Sequence, residues 1–275
     1  MPDNPTVLIT GATDGHGRAL AHRLAAEGAF LFVHGRDRRK VVDTAYEIQQ
    51  AHGTKPVSVV ADFTWLDSAP RIAAEVGEIT DRLDVLVNNA GVGFGEPDGR
   101  TRQLSGDGYE LRFAVNHLAG FLLTLELLPL LRAAAPGRVV NVASLAQHPL
   151  DFDDLMLERD YTGDRAYAQS KLAQVMAGFE LADRFPASEL TVNSLHPATY
   201  MPTKIVLEEV GHQVDSLADG VAATHRLATH PDLAGVTGEF YDRTRTVRAD
   251  PQAYDTDARA QLWRRSIELI NAVRE

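Results

Sequence analysis

Short continuous apolar runs alternate along this chain with longer stretches whose apolar residues recur at helical spacing. Val7-Leu8-Ile9 opens the series, and a helical pattern follows with Leu20, Leu24 and Ala25 on one face. Gly28 stops that helix, and Phe30-Leu31-Phe32-Val33 predicts a second buried strand. The cycle repeats: a helix over Val41–Gln50 leads to strand Val57–Val60, and one over Ala69–Glu78 leads to Val85–Val87. A long helix from about Gly108 to Leu131 precedes strand Arg138–Val142, and one from Ala166 to Phe185 precedes Leu190–Leu195. Thr237–Tyr241 predicts a last short strand. From Thr256 onward Leu262, Ile267 and Ile270 mark a docked C-terminal helix.

Fully apolar strands alternating with amphipathic helices imply a parallel sheet covered on both faces. The expectation is a single doubly wound α/β domain over 1–275, with about seven parallel strands. No Pro-, Gly- or Ser-rich linker divides it, although a cofactor half (about 1–140) and a catalytic and substrate half (about 141–275) can be distinguished. At 275 residues the chain needs no staple, and it has no cysteine, which removes disulfides, thiolate nucleophiles and Cys-type zinc sites. The 10 histidines lack the spacing of metal ligands, so no metal is expected. The net charge of −11 argues against nucleic acid. Met1–Pro5 does not read as a signal peptide. The most apolar run, Leu118–Leu131, is interrupted by Gly120, Glu126 and Pro129 and reads as too short to span a bilayer. These features imply a cytoplasmic protein with a small-molecule substrate and no nucleic-acid or membrane partner; they leave the oligomeric state open, a homodimer or homotetramer included. Arginine far outnumbers lysine, a bias expected of a high-GC bacterial genome.

The candidate chemistry starts at Thr10-Gly11-Ala12-Thr13-Asp14-Gly15-His16-Gly17, in the first strand-to-helix turn. A pyrophosphate held by backbone N–H groups at a helix N-terminus needs this placement, and side chains would block the approach. By itself such a turn is a weak signal, since many α/β turns use glycine only to reverse direction. Position in the first βα turn strengthens the dinucleotide reading and with it a Rossmann-type domain. His16 stands where an apolar residue is usual and is read as structural or as touching the cofactor.

Further along stand Asn88-Asn89-Ala90-Gly91, Asn116, Ser144, Tyr167 and Lys171. Together with the glycine loop, in this order, they resemble the short-chain dehydrogenase/reductase family over essentially the whole chain. Phe113-Ala-Val-Asn116-His, Tyr167-Ala-Gln-Ser-Lys171-Leu and the Ser144-to-Tyr167 interval resemble its retinol-dehydrogenase-like branch. His196-Pro197-Ala198 departs from the Pro-Gly often found there. The resemblance implies a catalytic tetrad of Asn116, Ser144, Tyr167 and Lys171, with Asn116 helping to hold a proton-relaying water. It implies cofactor contacts at Gly11, Thr13, Asp14, Gly15, His16, Gly17, Arg36, Asp62, Phe63, Asn89, Ala90, Gly91, Tyr167, Lys171, Pro197 and Thr199. Substrate contacts are expected from Phe94, Ala146, Tyr200 and Met201.

Those residue types suit hydride transfer. Tyr167 and Lys171 are one helical turn apart and share a face. A free phenol titrates near 10, and lowering it by about three units takes roughly 4 kcal/mol of differential interaction, which an adjacent ammonium supplies. Ser144, after the fifth strand, can donate a hydrogen bond to a developing oxyanion. Each residue alone reads as an exposed helix face, an N-cap or a buried polar group. A Ser–His triad lacks the Gly-x-Ser-x-Gly elbow. The alternative is a non-catalytic nicotinamide-binding sensor or scaffold on the same fold.

NADP(H) is expected over NAD(H). The register of the second strand puts the position of the usual ribose-binding acid on uncharged Gly35, and Arg36 suits a 2′-phosphate. Asp37, about 20 residues beyond Gly17, is the counterargument. The segment Thr199–Ser216 is expected to be a substrate lid hinged at Gly211, against the alternative of a surface helix over Lys204–Val210 packed through Ile205 and Leu207.

Overall fold

The computed structural model describes residues 2, 4–95, 101–203, 206–207 and 211–274. Its strands alternate side chains between two cores. In β1 (Thr6–Ile9), Leu8 enters one core while Val7 and Ile9 enter the other. β2 (Phe30–Gly35) divides the same way, with Phe32 on one side and Leu31 and Val33 on the other. This period-2 division into two apolar layers is why the strands read as uninterrupted apolar runs.

β3 (Val57–Val60), β4 (Val85–Asn88), β5 (Gly137–Val142), β6 (Leu190–His196) and β7 (Phe240–Asp242) complete the parallel set. A short β8 (Arg245–Thr246) pairs antiparallel at the edge. The order is β3-β2-β1-β4-β5-β6-β7-β8, one strand beyond the seven expected. Strand order reverses between β1 and β4, and ligands of such sheets bind outside the strand C-termini at that point.

Helices α1 (Gly15–Ala26) and α2 (Arg38–His52) cover one face, joined by α6 (Leu217–Thr229). The other face carries α3 (Ser68–Ile79), α4 (Ala119–Ala134), α5 (Gly163–Arg184) and α7 (Thr256–Ala272). Local caps set the starts. Asp14 accepts from Gly15 N–H, Asp37 from Arg39 and Lys40 N–H, and Ser216 forms a reciprocal box with Asp219.

Two expectations need correction. The helix expected from Gly108 begins only at Leu111, because Gly108 adopts φ +84° and Glu110 bridges to Leu104. Phe113–Leu118 then forms a π-turn before α4. The apolar run Leu118–Leu131 is expected to be too short to span a bilayer, but the helix that holds it, Phe113–Ala134, spans 22 residues and is long and apolar enough to cross a membrane by length and composition. Most of it is buried inside the protein, against α3 and the sheet, which accounts for its apolar character.

Candidate active site

The glycine loop leaves the end of β1 at the reversal point. A Cβ on Gly17 would lie 2.3 Å from Gly11 O and 2.4 Å from Asn89 Nδ2, so only glycine permits this approach. Gly11 has φ +64°, and its own Cβ would meet Ala90 Cα at 2.8 Å. Asn89 closes the loop: its Nδ2 donates to Thr10 O at 2.9 Å and Gly11 O at 3.0 Å. Thr10 Oγ1 accepts from the N–H groups of Asn89 and Ala90 at 2.9 and 3.0 Å. The cradle brings the first turn of α1 to the switch point, as a pyrophosphate requires.

His16 does not face that cradle. Its ring is buried, with Nδ1 against Asn89 Oδ1 at 2.9 Å and Nε2 near Gly220 O and Thr224 Oγ1 at 3.1 and 3.0 Å. Asn89 Nδ2 is committed to carbonyls, so His16 Nδ1 donates to Asn89 Oδ1. Burial holds this imidazole below its usual range. The expected cofactor contact is therefore left to its backbone, and the side chain ties the loop to α6.

Sequence reasoning missed His34. Its Nδ1 accepts from Gly11 N–H at 3.3 Å and its Nε2–H donates to Ala61 O at 3.1 Å. Burial lowers it to about 4, keeping it neutral, and its ring stacks on Phe63 with centroids 4.6 Å apart. His34 thus joins the glycine loop to the end of β3, beside expected contacts Asp62 and Phe63. Asp62 Oδ1 accepts from Thr64 N–H at 3.0 Å, which turns the chain there. A lone histidine in an apolar strand, one position before Gly35, was the available signal.

At the end of β2 a Cβ on Gly35 would lie 2.6 Å from Thr13 Cγ2 and 3.0 Å from Val41 Cγ2. An acid there would displace both side chains. Asp37, the competing acid, is the α2 N-cap, accepting at 2.9 and 3.2 Å. Arg36 is exposed and has no ion-pair partner among the described residues. Asp14, by contrast, has Lys40 Nζ at 3.5 Å.

The tetrad gathers around α5 and the strand ends. Lys171 Nζ lies 5.8 Å from the Tyr167 ring centroid and donates to Val142 O at 2.8 Å and Gln174 Oε1 at 3.3 Å. Burial lowers this ammonium to about 8. Asn116 sits in the π-turn. Its Oδ1 accepts from Val92 N–H at 2.7 Å, and its Nδ2 donates to Val92 O and Ser170 Oγ at 3.1 and 2.9 Å. The Asn116 amide thus braces the loop after Gly91. A Cβ on Gly91 would fall 3.2 Å from Asn116 Oδ1 and 3.6 Å from Lys171 Nζ, so the three converge. Ser144 is buried beyond β5, its Oγ accepting from Ala146 N–H at 3.1 Å.

Phe94 sets its ring edge-on to Tyr167, with centroids 5.8 Å apart. Ala146 and Tyr200 are exposed, and Pro197 is buried. His196 Nε2 and Thr199 Oγ1 are 3.0 Å apart. Met201 departs from expectation: it is buried, and a Cβ on Gly220 would lie 2.2 Å from its Sδ. Its side chain therefore packs on α6, and Tyr200 before it takes φ +43°. Thr203 also lies over the glycine loop, 3.0 Å from a Cβ placed on Gly15. Most of the alternative helix, Lys204, Ile205 and Glu208–Val210, lies outside the described residues. Val206 and Leu207 are helical, and Leu207 is exposed. Among the described residues no group of three or more His, Cys, Asp or Glu could hold a metal ion.

A profile of the short chain dehydrogenase family matches residues 5–212. Mouse retinol dehydrogenase 14 is 35% identical, the match covering 94% of this chain and 83% of that protein. A solved protein from Mycobacterium paratuberculosis superposes with a TM-score of 0.74 at 30% identity, covering 97% of this chain and 93% of that one. The Pseudomonas aeruginosa RhlG/NADP active-site complex gives a TM-score of 0.72 at 27% identity, covering 86% and 94%.

Proposed function

The chain belongs to the short-chain dehydrogenase family and is similar to its retinol dehydrogenases, and from that premise we propose that it transfers a hydride between NADP(H) and a carbonyl or alcohol group of a small apolar substrate. The observation that carries the reading is the buried Lys171 ammonium beside the Tyr167 ring, at the same sheet edge as the glycine cradle. Bound nicotinamide supplies or accepts the hydride. In the reductive direction Tyr167 gives its proton to the developing alkoxide, and Lys171 stabilises the phenolate left behind. Ser144 donates to the same substrate oxygen, which strengthens as negative charge builds. Burial that lowers Lys171 to about 8 leaves it mostly charged at neutral pH while weakening its hold on its proton.

The apolar substrate class rests on Phe94 beside Tyr167 and on the exposed Leu145 and Tyr200 near Ser144 and Thr199. NADP(H) preference rests on three residues. Gly35 has no room for an acid, Asp37 is committed to capping, and Arg36 presents an exposed guanidinium, without an ion-pair partner among the described residues, suited to a phosphate. The similar RhlG structure was solved with NADP. The test compares kcat/KM for NADPH and NADH in the wild type and Arg36→Ala. NADPH should be preferred, and the variant should lose about tenfold on NADPH alone. Preference for NADH, unchanged in Arg36→Ala, would refute the assignment.

A further inference from the structure

Arg112 is fully buried, and its guanidinium reaches two chain segments beyond its own. Nε donates to Gly93 O at 2.7 Å, Nη2 to Phe94 O at 3.1 Å and Nη1 to the Tyr161 hydroxyl at 2.7 Å. Glu110, also buried, places Oε1 3.6 Å from Arg112 Nη1 and accepts there from the Tyr161 hydroxyl at 3.2 Å. Its Oε2 accepts from Phe113 N–H at 2.7 Å, at the first residue of the π-turn carrying Asn116. Burial and the neighbouring carboxylate push the Tyr161 phenol up to about 12, so it stays a donor.

One ion pair therefore holds three segments: the loop after Gly91, the π-turn, and the connection into α5 with Tyr167. A buried pair is a poor way to gain stability, since desolvation offsets most of the attraction. What a guanidinium fork offers instead is a fixed direction for each bond. Here two donors read successive carbonyls, Gly93 and Phe94, which sets the path of the loop. The side chain on that path is Phe94, whose ring stands against Tyr167 with an interplanar angle of 73°.

We propose that Glu110, Arg112 and Tyr161 form a positioning cluster that fixes Phe94 as the apolar wall beside Tyr167, and so selects which carbonyl compounds the site accepts. The inference rests on the oxidoreductase reading above. None of the three touches the reacting atoms. They act through Phe94, so their effect belongs to substrate recognition and not to the cofactor, whose cradle is closed separately by Asn89 and His34.

The test uses the whole chain with Tyr161→Phe, Arg112→Lys, the charge-free pair Glu110→Gln with Arg112→Met, and Phe94→Ala. Steady-state kinetics would be measured with NADPH and apolar ketones and aldehydes of increasing bulk. The charge-free pair and Phe94→Ala should both raise KM for the bulkier carbonyls about tenfold, with kcat less affected and KM for NADPH within about twofold. Arg112→Lys should recover part of the loss. Equal changes in both KM values, or none in either, would overturn the proposal. If the charge-free pair does not fold, Tyr161→Phe carries the same test. Hydrogen exchange at residues 92–95 reads the cluster without turnover: faster exchange there, with residues 10–17 unchanged, supports it, and unchanged exchange at 92–95 overturns it. A wild type that reduces none of the carbonyls defeats the oxidoreductase reading, and the exchange result still decides the cluster.

Discussion

The cofactor side and the substrate side of this site are held by different means. On the cofactor side the chain passes through positions where a single methyl would collide with backbone, as at Gly11 and Gly17. Each turn there is also fastened by polar side chains, the buried Thr10, His16 and His34 and the half-buried Asn89. On the side proposed for substrate, the two ends of Thr199–Ser216 are joined to each other. Thr199 N–H donates to Asp215 Oδ2 at 2.6 Å, Asp215 N–H to Thr199 O at 3.0 Å, and Val214 N–H to Tyr200 O at 3.1 Å. Arg243 pairs with the same Asp215 carboxylate. Met201 and Thr203 then rest on α6 and the glycine loop. The first arrangement tolerates one backbone path. The second is tied across its base by these bonds and, among the described residues, carries further local backbone bonds from Leu207 N–H to Thr203 O and from Gly211 N–H to Val206 O. We propose that it is the part of the site that moves for substrate.

The largest expected effect separates binding from chemistry. Tyr167→Phe should retain NADPH binding, read by nicotinamide fluorescence, while kcat falls about 10²–10⁴-fold. A variant keeping more than roughly a tenth of kcat would remove Tyr167 from the proton-donor role.

Two glycine substitutions then probe the contrast itself. Gly17→Ala forces a Cβ to 2.3 Å from Gly11 O, so it should abolish NADPH binding and cost about 1–3 kcal/mol of stability. Gly211→Ala has φ +76° but meets nothing within 4 Å, so it should cost only about 1 kcal/mol and leave binding intact. Similar losses from both, in thermal unfolding and NADPH titration, would erase the distinction.

Lys171 gives a pH signature on the catalytic floor between the two sides. Its folded value of about 8 lies below the ordinary 10.5. Turnover that needs the ammonium should fall as pH rises through about 8. Between about 8 and 10.5 the unfolded chain binds this proton and the folded chain does not, so stability should rise with pH across that window. Lys171→Met should flatten that rise, seen as Tm against pH. An unaltered slope would place the titration elsewhere.

The smallest effect concerns the substrate side alone. Hydrogen exchange of residues 199–203 and 211–216 should slow when NADPH and an apolar carbonyl bind together, with residues 10–17 changing on NADPH alone. Equal protection of the segment in every state would make it scaffold.

The same contrast explains what could be read from sequence. Gly11, Gly15 and Gly17 were legible because steric exclusion leaves one residue type, and the strands because period-2 burial on both faces leaves only apolar residues. Gly35 was legible as a position without charge, although the packing of Thr13 and Val41 behind it was not. The burial of Met201 against α6 and the φ of +43° at Tyr200 before it were not legible, since no local pattern announces either. The Arg112 cluster was hidden for a different reason. Its partners come from segments far apart in sequence, and a lone arginine at a helix start reads as surface. The π-turn was likewise not legible: it is braced by a side-chain cap from Glu110 and by a bond from the distant Val92, neither of which the apolar pattern announces.

The central claim is hydride transfer from NADPH to a carbonyl carbon, and the most direct measurement follows that hydrogen. The protein would be incubated with NADPH deuterated at nicotinamide C4, as each of its two epimers, and a panel of apolar aldehydes and ketones. Mass spectrometry of the alcohols would then locate the label, with Tyr167→Phe in parallel. The account predicts deuterium on the carbinol carbon from one epimer only, and almost no product from Tyr167→Phe. NADPH that binds but yields no labelled alcohol from any carbonyl would contradict it and favour a nicotinamide-binding sensor on the same fold.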